Sequence, residues 1–212
     1  MKIKFLGHSA FFVEGSVSVV CDPYSGMDFE MERVKADYCI CSHDHFDHNA
    51  VNKVSASLYF YGLTSDVNPM IEKDISLKRI ICCHDDENGA KRGKNSVIKF
   101  TVDGVRFCHY GDIGEKFSEE TAAKIGKCDV CFIPVGGFYT IDAEEAYKYA
   151  CASKAKIVIP MHFKTPRSFD VLDTADKFIE KFERVKRGSE LELTSSSLPQ
   201  KTEVFVFDYE KY

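Results

Sequence analysis

The chain has 212 residues, 44% of them hydrophobic, which suffices for one sizeable core and suits a single domain over residues 1–212. A net charge of −5 and a pI near 5.8 weigh against a general nucleic-acid binder. No run of about 18 apolar residues is present to cross a membrane, and Met1–Gly7 is too short in its apolar part for a signal peptide, so a cytoplasmic protein is expected.

The chain opens with apolar runs at Ile3 to Leu6, Ala10 to Val13 and Val17 to Cys21, separated by Gly7-His8-Ser9 and Glu14-Gly15-Ser16. Runs this close, parted by glycine turns, predict antiparallel strands. Asp22-Pro23 ends the third, Tyr24 to Lys35 reads as a loop, and Tyr38 to Cys41 is the next strand. A short helix over Asn49 to Val54 and a strand over Ser57 to Tyr61 follow. Asp66 to Lys78 reads as irregular, Arg79 to Cys83 as a strand, and Ala90 to Asn95 as a basic loop. Strands over Val97 to Val102 and Val105 to His109 are joined by Asp103-Gly104, a strong hairpin signal.

Further along, Ser118 caps a helix through Ile125 with Gly126 behind it. Val130 to Val135 reads as a buried strand. Asp142 and Glu145 resemble a capping box for a helix to about Cys151. Lys156 to Pro160 is a strand with Met161-His162 at its end. Val171, Leu172, Ala175, Phe178, Ile179, Phe182 and Val185 fall at helical spacing, predicting a long helix that Gly188 ends. Leu191 to Gln200 is an exposed, serine-rich connection before a last strand, Glu203 to Phe207. This order argues for an α+β fold, with sheets packed face to face and helices outside.

The most informative stretch is Ser42-His43-Asp44-His45-Phe46-Asp47-His48. On an extended backbone His43 and His45 project to one face, and Asp47 and His48 follow where the chain must turn. Imidazole and carboxylate are the usual ligands of zinc and other first-row metals, so this run reads as the floor of a metal site. The seven histidines, His8, His43, His45, His48, His84, His109 and His162, all fall at strand ends or adjoining turns, where ligands converge at one rim of a sheet. The nine cysteines are odd in number and mostly lie in apolar runs; they read as reduced, buried thiols, and Cys128-Asp129-Val130-Cys131 lacks a second pair for a zinc ribbon.

His43-x-His45-x-Asp47-His48, followed by His84, Asp112 and His162, resembles the successive motifs of the metallo-β-lactamase-fold hydrolases. Leu6 to Phe11, Asp22-Pro23, His109 to Asp112, Ile133 to Gly137 and Ile159 to His162 resemble, more narrowly, the small bacterial branch near L-ascorbate-6-phosphate lactonase. The resemblance implies a four-layer αββα sandwich with two divalent ions at one edge. Zinc is the first choice, with manganese, iron(II) and nickel as alternatives. His43, His45 and His84 would bind the first ion; Asp47, His48 and His162 the second; Asp112 would bridge both. His109 is a rival to His84 for the third position. Asp44 and Phe46 are assigned to the turn and the packing beneath it.

The implied activity is hydrolysis of a small anionic ester or lactone by a metal-bridging hydroxide, with Asp47 and Asp112 as catalytic residues. His8, His109, Tyr139 and Lys164 are candidate substrate contacts. Lys91, Arg92, Lys94, Lys164 and Arg167 favour an anionic substrate if their loops line the site. The alternatives are a phosphodiesterase or ribonuclease of the same fold, or a non-catalytic metal-dependent sensor. The expected partner is a small molecule, with neither membrane nor nucleic acid, and homo-oligomerisation is left open.

Overall fold

Two mixed β-sheets pack face to face in the computed structural model, which describes residues 1–64, 70–72, 75–210 and 212. The first half supplies β1 (Lys2–Gly7), β2 (Ala10–Glu14), β3 (Ser18–Cys21), β4 (Val34–Cys41), β5 (Val54–Tyr61), β6 (Met70–Glu72), β7 (Ile75–Cys83), β8 (Lys94–Val102) and β9 (Val105–His109). The second half adds α1 (Glu119–Ile125), β10 (Val130–Pro134), α2 (Ala143–Ser153), β11 (Ile157–Met161), α3 (Asp176–Ile179), β12 (Val185–Gly188), β13 (Glu190–Glu192) and β14 (Glu203–Phe207). One sheet has the order β13-β1-β2-β3-β4-β5, the other β12-β14-β11-β10-β9-β8-β7-β6.

Each sheet changes from antiparallel to parallel pairing: β1 to β3 are antiparallel while β3, β4 and β5 are parallel. β7, β8 and β9 are antiparallel, whereas β9, β10, β11, β14 and β12 are parallel. The Asp103-Gly104 turn has φ of +49° and +75°, the left-handed pair that a tight hairpin needs.

The inner faces alternate as the pleat dictates. Ile3, Phe5, Phe11 and Val13 from one sheet meet Phe100, Phe107, Phe132 and Ile159 from the other. Phe11 stacks on Phe132 with ring centroids 4.3 Å apart. β10, β11 and β14 are buried along their whole length because α1, α2 and α3 cover their second face. The other sheet's outer face is covered by the segment that carries Tyr24 and Met31 and by a single 3-10 turn, Val51–Lys53. Among the described residues no α-helix lies there, so that outer layer is thin. No described helix is long and apolar enough to cross a membrane, and all nine cysteines are free thiols, with only Cys151 exposed.

Three local expectations are corrected. Residues 66–78 lie partly outside the described residues, and their described part is strand: β6, and the start of β7 at Ile75. The long helix over 171–188 is one turn, α3, followed by turns and then β12. Leu172, Ala175, Phe178 and Ile179 do face the core at helical spacing. Val185 to Gly188, however, pair in parallel with Val204 to Phe207, and a sheet edge offering backbone hydrogen bonds outcompetes the helix there. At α2, Asp142 Oδ1 accepts from the N–H groups of Glu144 and Glu145, but Glu145 does not close a reciprocal box. Its carboxylate accepts instead from Phe117 N–H, tying α2 to the chain before α1.

Candidate metal centre

Strand ends set the site. His8 follows β1, Asp22 follows β3, His43 to His48 follow β4, His84 follows β7, Asp112 lies three residues beyond β9, and His162 follows β11. His8, Asp22 and His162 have left-handed backbones, with φ of +54°, +43° and +49°. At a strand end such a bend swings the side chain out of the sheet direction, and its strain persists only where the surroundings fix it. A Cβ on Gly111 would lie 2.3 Å from Asn95 Oδ1 and 2.6 Å from Ser42 Cβ, so only glycine lets the Asp112 turn approach the His43 loop this closely.

Two donor clusters result. His43, His45 and His84 form one; His8, Asp47, His48 and His162 form the other; within each, the donor atoms lie within 4.8 Å of one another. Asp112 stands between them. Its Oδ2 is 3.2 Å from His48 Nε2, 3.3 Å from His84 Nε2 and 3.3 Å from His162 Nε2. Metal–nitrogen bonds of about 2.0–2.1 Å place tetrahedral donors about 3.3–3.4 Å apart, so these spacings fit atoms arranged around shared cations. Asp112 Oδ1 is buried with no hydrogen-bond partner, an acceptor that a cation would satisfy.

The hydrogen-bond network fixes which nitrogens are presented. Asp22 accepts from Ser42 N–H at 2.7 Å and Ser42 O–H at 2.6 Å, and Ser42 Oγ therefore accepts from His43 Nδ1–H at 2.9 Å. Asp22 also accepts from His48 Nδ1–H at 2.9 Å. Both imidazoles thereby turn Nε2 towards the cluster, where the neutral ring presents its lone pair. Burial depresses His43 to about 2 and His8 to about 4, so both are neutral at physiological pH, the form that ligates. Burial opposes charge on Asp112, yet His162 and His48 hold it well below the usual carboxylate range. Burial likewise opposes charge on His48, yet Asp112, Asp22 and Asp47 push it well above the ordinary value. Opposite charges outweigh burial on both members of this pair, and a cation among them would take the place of the His48 Nε2 proton.

A cavity of 570 Å³ opens over the clusters, lined in part by His45, Asp47, His84, Asp112 and His162. Tyr139 lines it, half-buried, with Arg92 packed over its ring at 5.5 Å. Phe46 is 57% exposed and lines the same cavity, so it belongs to the rim and not to packing beneath the turn. Asp44 is held in the turn by Asn49, and it too reaches the cavity.

The other candidates fall elsewhere. His109 is buried, its Nε2–H donating to Ser9 O at 2.9 Å and its Nδ1 accepting from Gly111 N–H at 3.1 Å. With no lone pair left it joins the two sheets and shapes the Asp112 turn; it does not stand with His43 and His45. Lys164 pairs with Asp170, Lys91 with Glu87, and Lys94 donates to Cys83 Sγ and Asn88 O. Arg167 packs over Phe29. Of these five basic residues only Arg92 lines the cavity. Its loop is tied by Asp85, whose carboxylate accepts four backbone N–H groups, from Glu87, Gly89, Lys91 and Arg92.

Sequence reasoning missed the supporting roles of Asp22 and Asn95. Asn95 accepts from Asp112 N–H at 3.0 Å and donates to Tyr110 O at 2.8 Å. The only signal for Asp22 was its place in the Asp22-Pro23 dipeptide; Asn95 carried none.

Comparison with known proteins agrees with this geometry. Residues 2–162 match the family model of the β-lactamase superfamily domain. A UPF0173 metal-dependent hydrolase of Archaeoglobus fulgidus is 30% identical, over 78% of this chain and 84% of its own length. One from Thermococcus kodakarensis is 30% identical, over 91% of this chain and all of its own. Among solved structures, a candidate Zn-dependent hydrolase of the metallo-β-lactamase superfamily from Thermotoga maritima superposes with a TM-score of 0.79, 30% identical and 97% covered on both chains.

Proposed function

The chain belongs to the UPF0173 metal-dependent hydrolases of the metallo-β-lactamase superfamily, and from that premise we propose that it is a dinuclear, zinc-dependent hydrolase of a small anionic ester or lactone. The observation that carries this reading is Asp112 Oδ2, which lies 3.2–3.3 Å from histidine nitrogens of both donor clusters under an open cavity. In the proposal His43, His45 and His84 hold one ion, Asp47, His48 and His162 the other, and Asp112 is common to both. Manganese, iron(II) and nickel suit the same donors.

When bound, such ions supply Lewis acidity for a carbonyl or phosphoryl oxygen and ionise water near neutral pH. The chain's residues do the rest. Asp47 lines the cavity, and its carboxylate would orient the attacking water and accept its proton. Asn95 and the surrounding histidines fix Asp112 so that it does not reorganise during the reaction. Arg92, braced by Tyr139 and by the Asp85-tied loop, offers a planar cation to a carboxylate or phosphate at the mouth. Phe46 and Phe169 give the cavity an apolar wall. A volume of 570 Å³ lies in the range of small-molecule sites, which about 300–1,000 Å³ spans, and favours a metabolite over a polymer.

The test is hydrolysis by the zinc-loaded protein across lactones, carboxylic esters, phosphomonoesters and phosphodiesters, with Arg92→Gln alongside. A lactone or ester bearing an anionic group should be the best substrate, and Arg92→Gln should raise its KM while leaving kcat largely unchanged. Preference for RNA or phosphodiesters, or an unchanged KM, would overturn this substrate assignment.

A further inference from the structure

His8 lies well apart in sequence from the run that supplies most of the donors, yet its side chain reaches the second cluster. It sits in the bend between β1 and β2, buried, with the left-handed φ of +54° that turns its ring inward. Its Nε2 is 3.3 Å from Asp47 Oδ2 and 3.3 Å from His48 Nε2, and its ring centroid is 4.4 Å from that of His162. Its own carbonyl accepts from His162 N–H at 3.1 Å, so the bend and the His162 turn are fixed to each other.

We infer that His8 is a protein ligand of the second ion through Nε2, an inference that rests on the dinuclear reading above. A pure hydrogen-bonding role fits less well. His48 has given its Nδ1–H to Asp22, so in the neutral form that ligates its Nε2 presents a lone pair, as does the Asp47 carboxylate. A single His8 N–H would have to serve both at 3.3 Å, beyond the ordinary range of about 2.7–3.2 Å. Two acceptors and a third nitrogen at the edge length of a tetrahedron are satisfied together by one cation among them. His8 Nδ1 is buried without a partner, as are the Nδ1 atoms of His84 and His162, two of the proposed ligands, so it shares their state.

The two sites are then unequal. The second ion is held by His8, Asp47, His48 and His162 besides its share of Asp112, and neither His8 nor His48 lines the cavity. The first has three histidines and its share of Asp112, one protein ligand fewer, while each site places two ligands on the cavity wall, His45 and His84 from the first and Asp47 and His162 from the second. The second is the tightly retained ion, and the first keeps positions open towards substrate.

The test is titration of metal-free wild type, His8→Ala and His8→Gln with Zn²⁺ against a chromophoric chelator, and with Co²⁺ followed by visible absorption. Wild type should take up two equivalents. Both variants should keep one equivalent at wild-type affinity while the other weakens at least about tenfold, with a changed Co²⁺ spectrum. Retention of the first equivalent also shows that the variant has folded. If His8→Ala fails to fold, His8→Gln carries the test alone. Two equivalents at wild-type affinities in both variants would overturn the inference. So would recovery of the second site by His8→Gln alone, since glutamine can still donate to Asp47 and would mark a positioning role. Wild type that takes up fewer than two equivalents would instead overturn the dinuclear reading itself.

Discussion

Asp22 is fully buried, and its carboxylate binds Ser42 and His48 and, through Ser42, His43. It therefore sets the tautomer of one histidine from each donor cluster. Outer-shell partners of this kind typically change metal affinity about 10–100-fold. Asp22→Asn should weaken Zn²⁺ binding by that order in a chelator competition, and Asp112→Ala should abolish hydrolysis and lose at least one equivalent of metal. Wild-type affinity in the first variant, or full activity in the second, would contradict these roles. At this scale His43 to His48 were legible because the donors are contiguous. Asp22 and Asn95 were not, because each acts on a residue many positions away that only the sheets bring near. Phe46 was assigned to packing beneath the turn because it stands between donors and is not one itself, whereas it lines the cavity above the strand end.

Among the elements, the parallel strands β9, β10 and β11 carry the Asp112 turn and His162, and Asp129 binds them together. Its side chain accepts from Arg106 N–H at 2.9 Å, Nε at 2.9 Å and a terminal guanidinium nitrogen at 2.7 Å, while its carbonyl accepts from Lys156 and Ile157 N–H. The hydrogen-bonded Arg106 side chain, aided by its backbone N–H, lowers the Asp129 pKa despite burial. A depressed carboxylate stabilises the fold above its unfolded value, about 3.9, and loses that contribution as pH falls through the lower folded value. Denaturant midpoints of wild type and Asp129→Asn should therefore differ at pH 7 and converge in the acid limb. A constant difference down to strongly acidic pH would contradict this. Elements with a local signature were readable: the Asp103-Gly104 hairpin, the Ser118 and Asp142 caps, and β10 as an apolar run. The segment 171–188 was not, since Val185 to Gly188 gain their hydrogen bonds from β14, a partner that helical periodicity does not reveal.

For the molecule as a whole, the sandwich explains why one rim gathers so many donors. The antiparallel hairpins bring β1 and β7, and the parallel strands bring β3, β4, β9 and β11, with their C-terminal ends towards the same edge. The stacked Phe11 and Phe132 core beneath keeps the two sheets, and hence the two donor clusters, in register. The candidate donors could be named from the sequence, and their division into two sets about Asp112 only through the family resemblance; what gathers them in space is strand order across both sheets. The most direct measurement is anomalous scattering at the zinc edge from crystals grown with Zn²⁺. Two peaks are expected on either side of Asp112 Oδ2, one bonded to His43, His45 and His84, the other to His8, Asp47, His48 and His162. A single peak, peaks away from Asp112, or none would contradict the dinuclear centre.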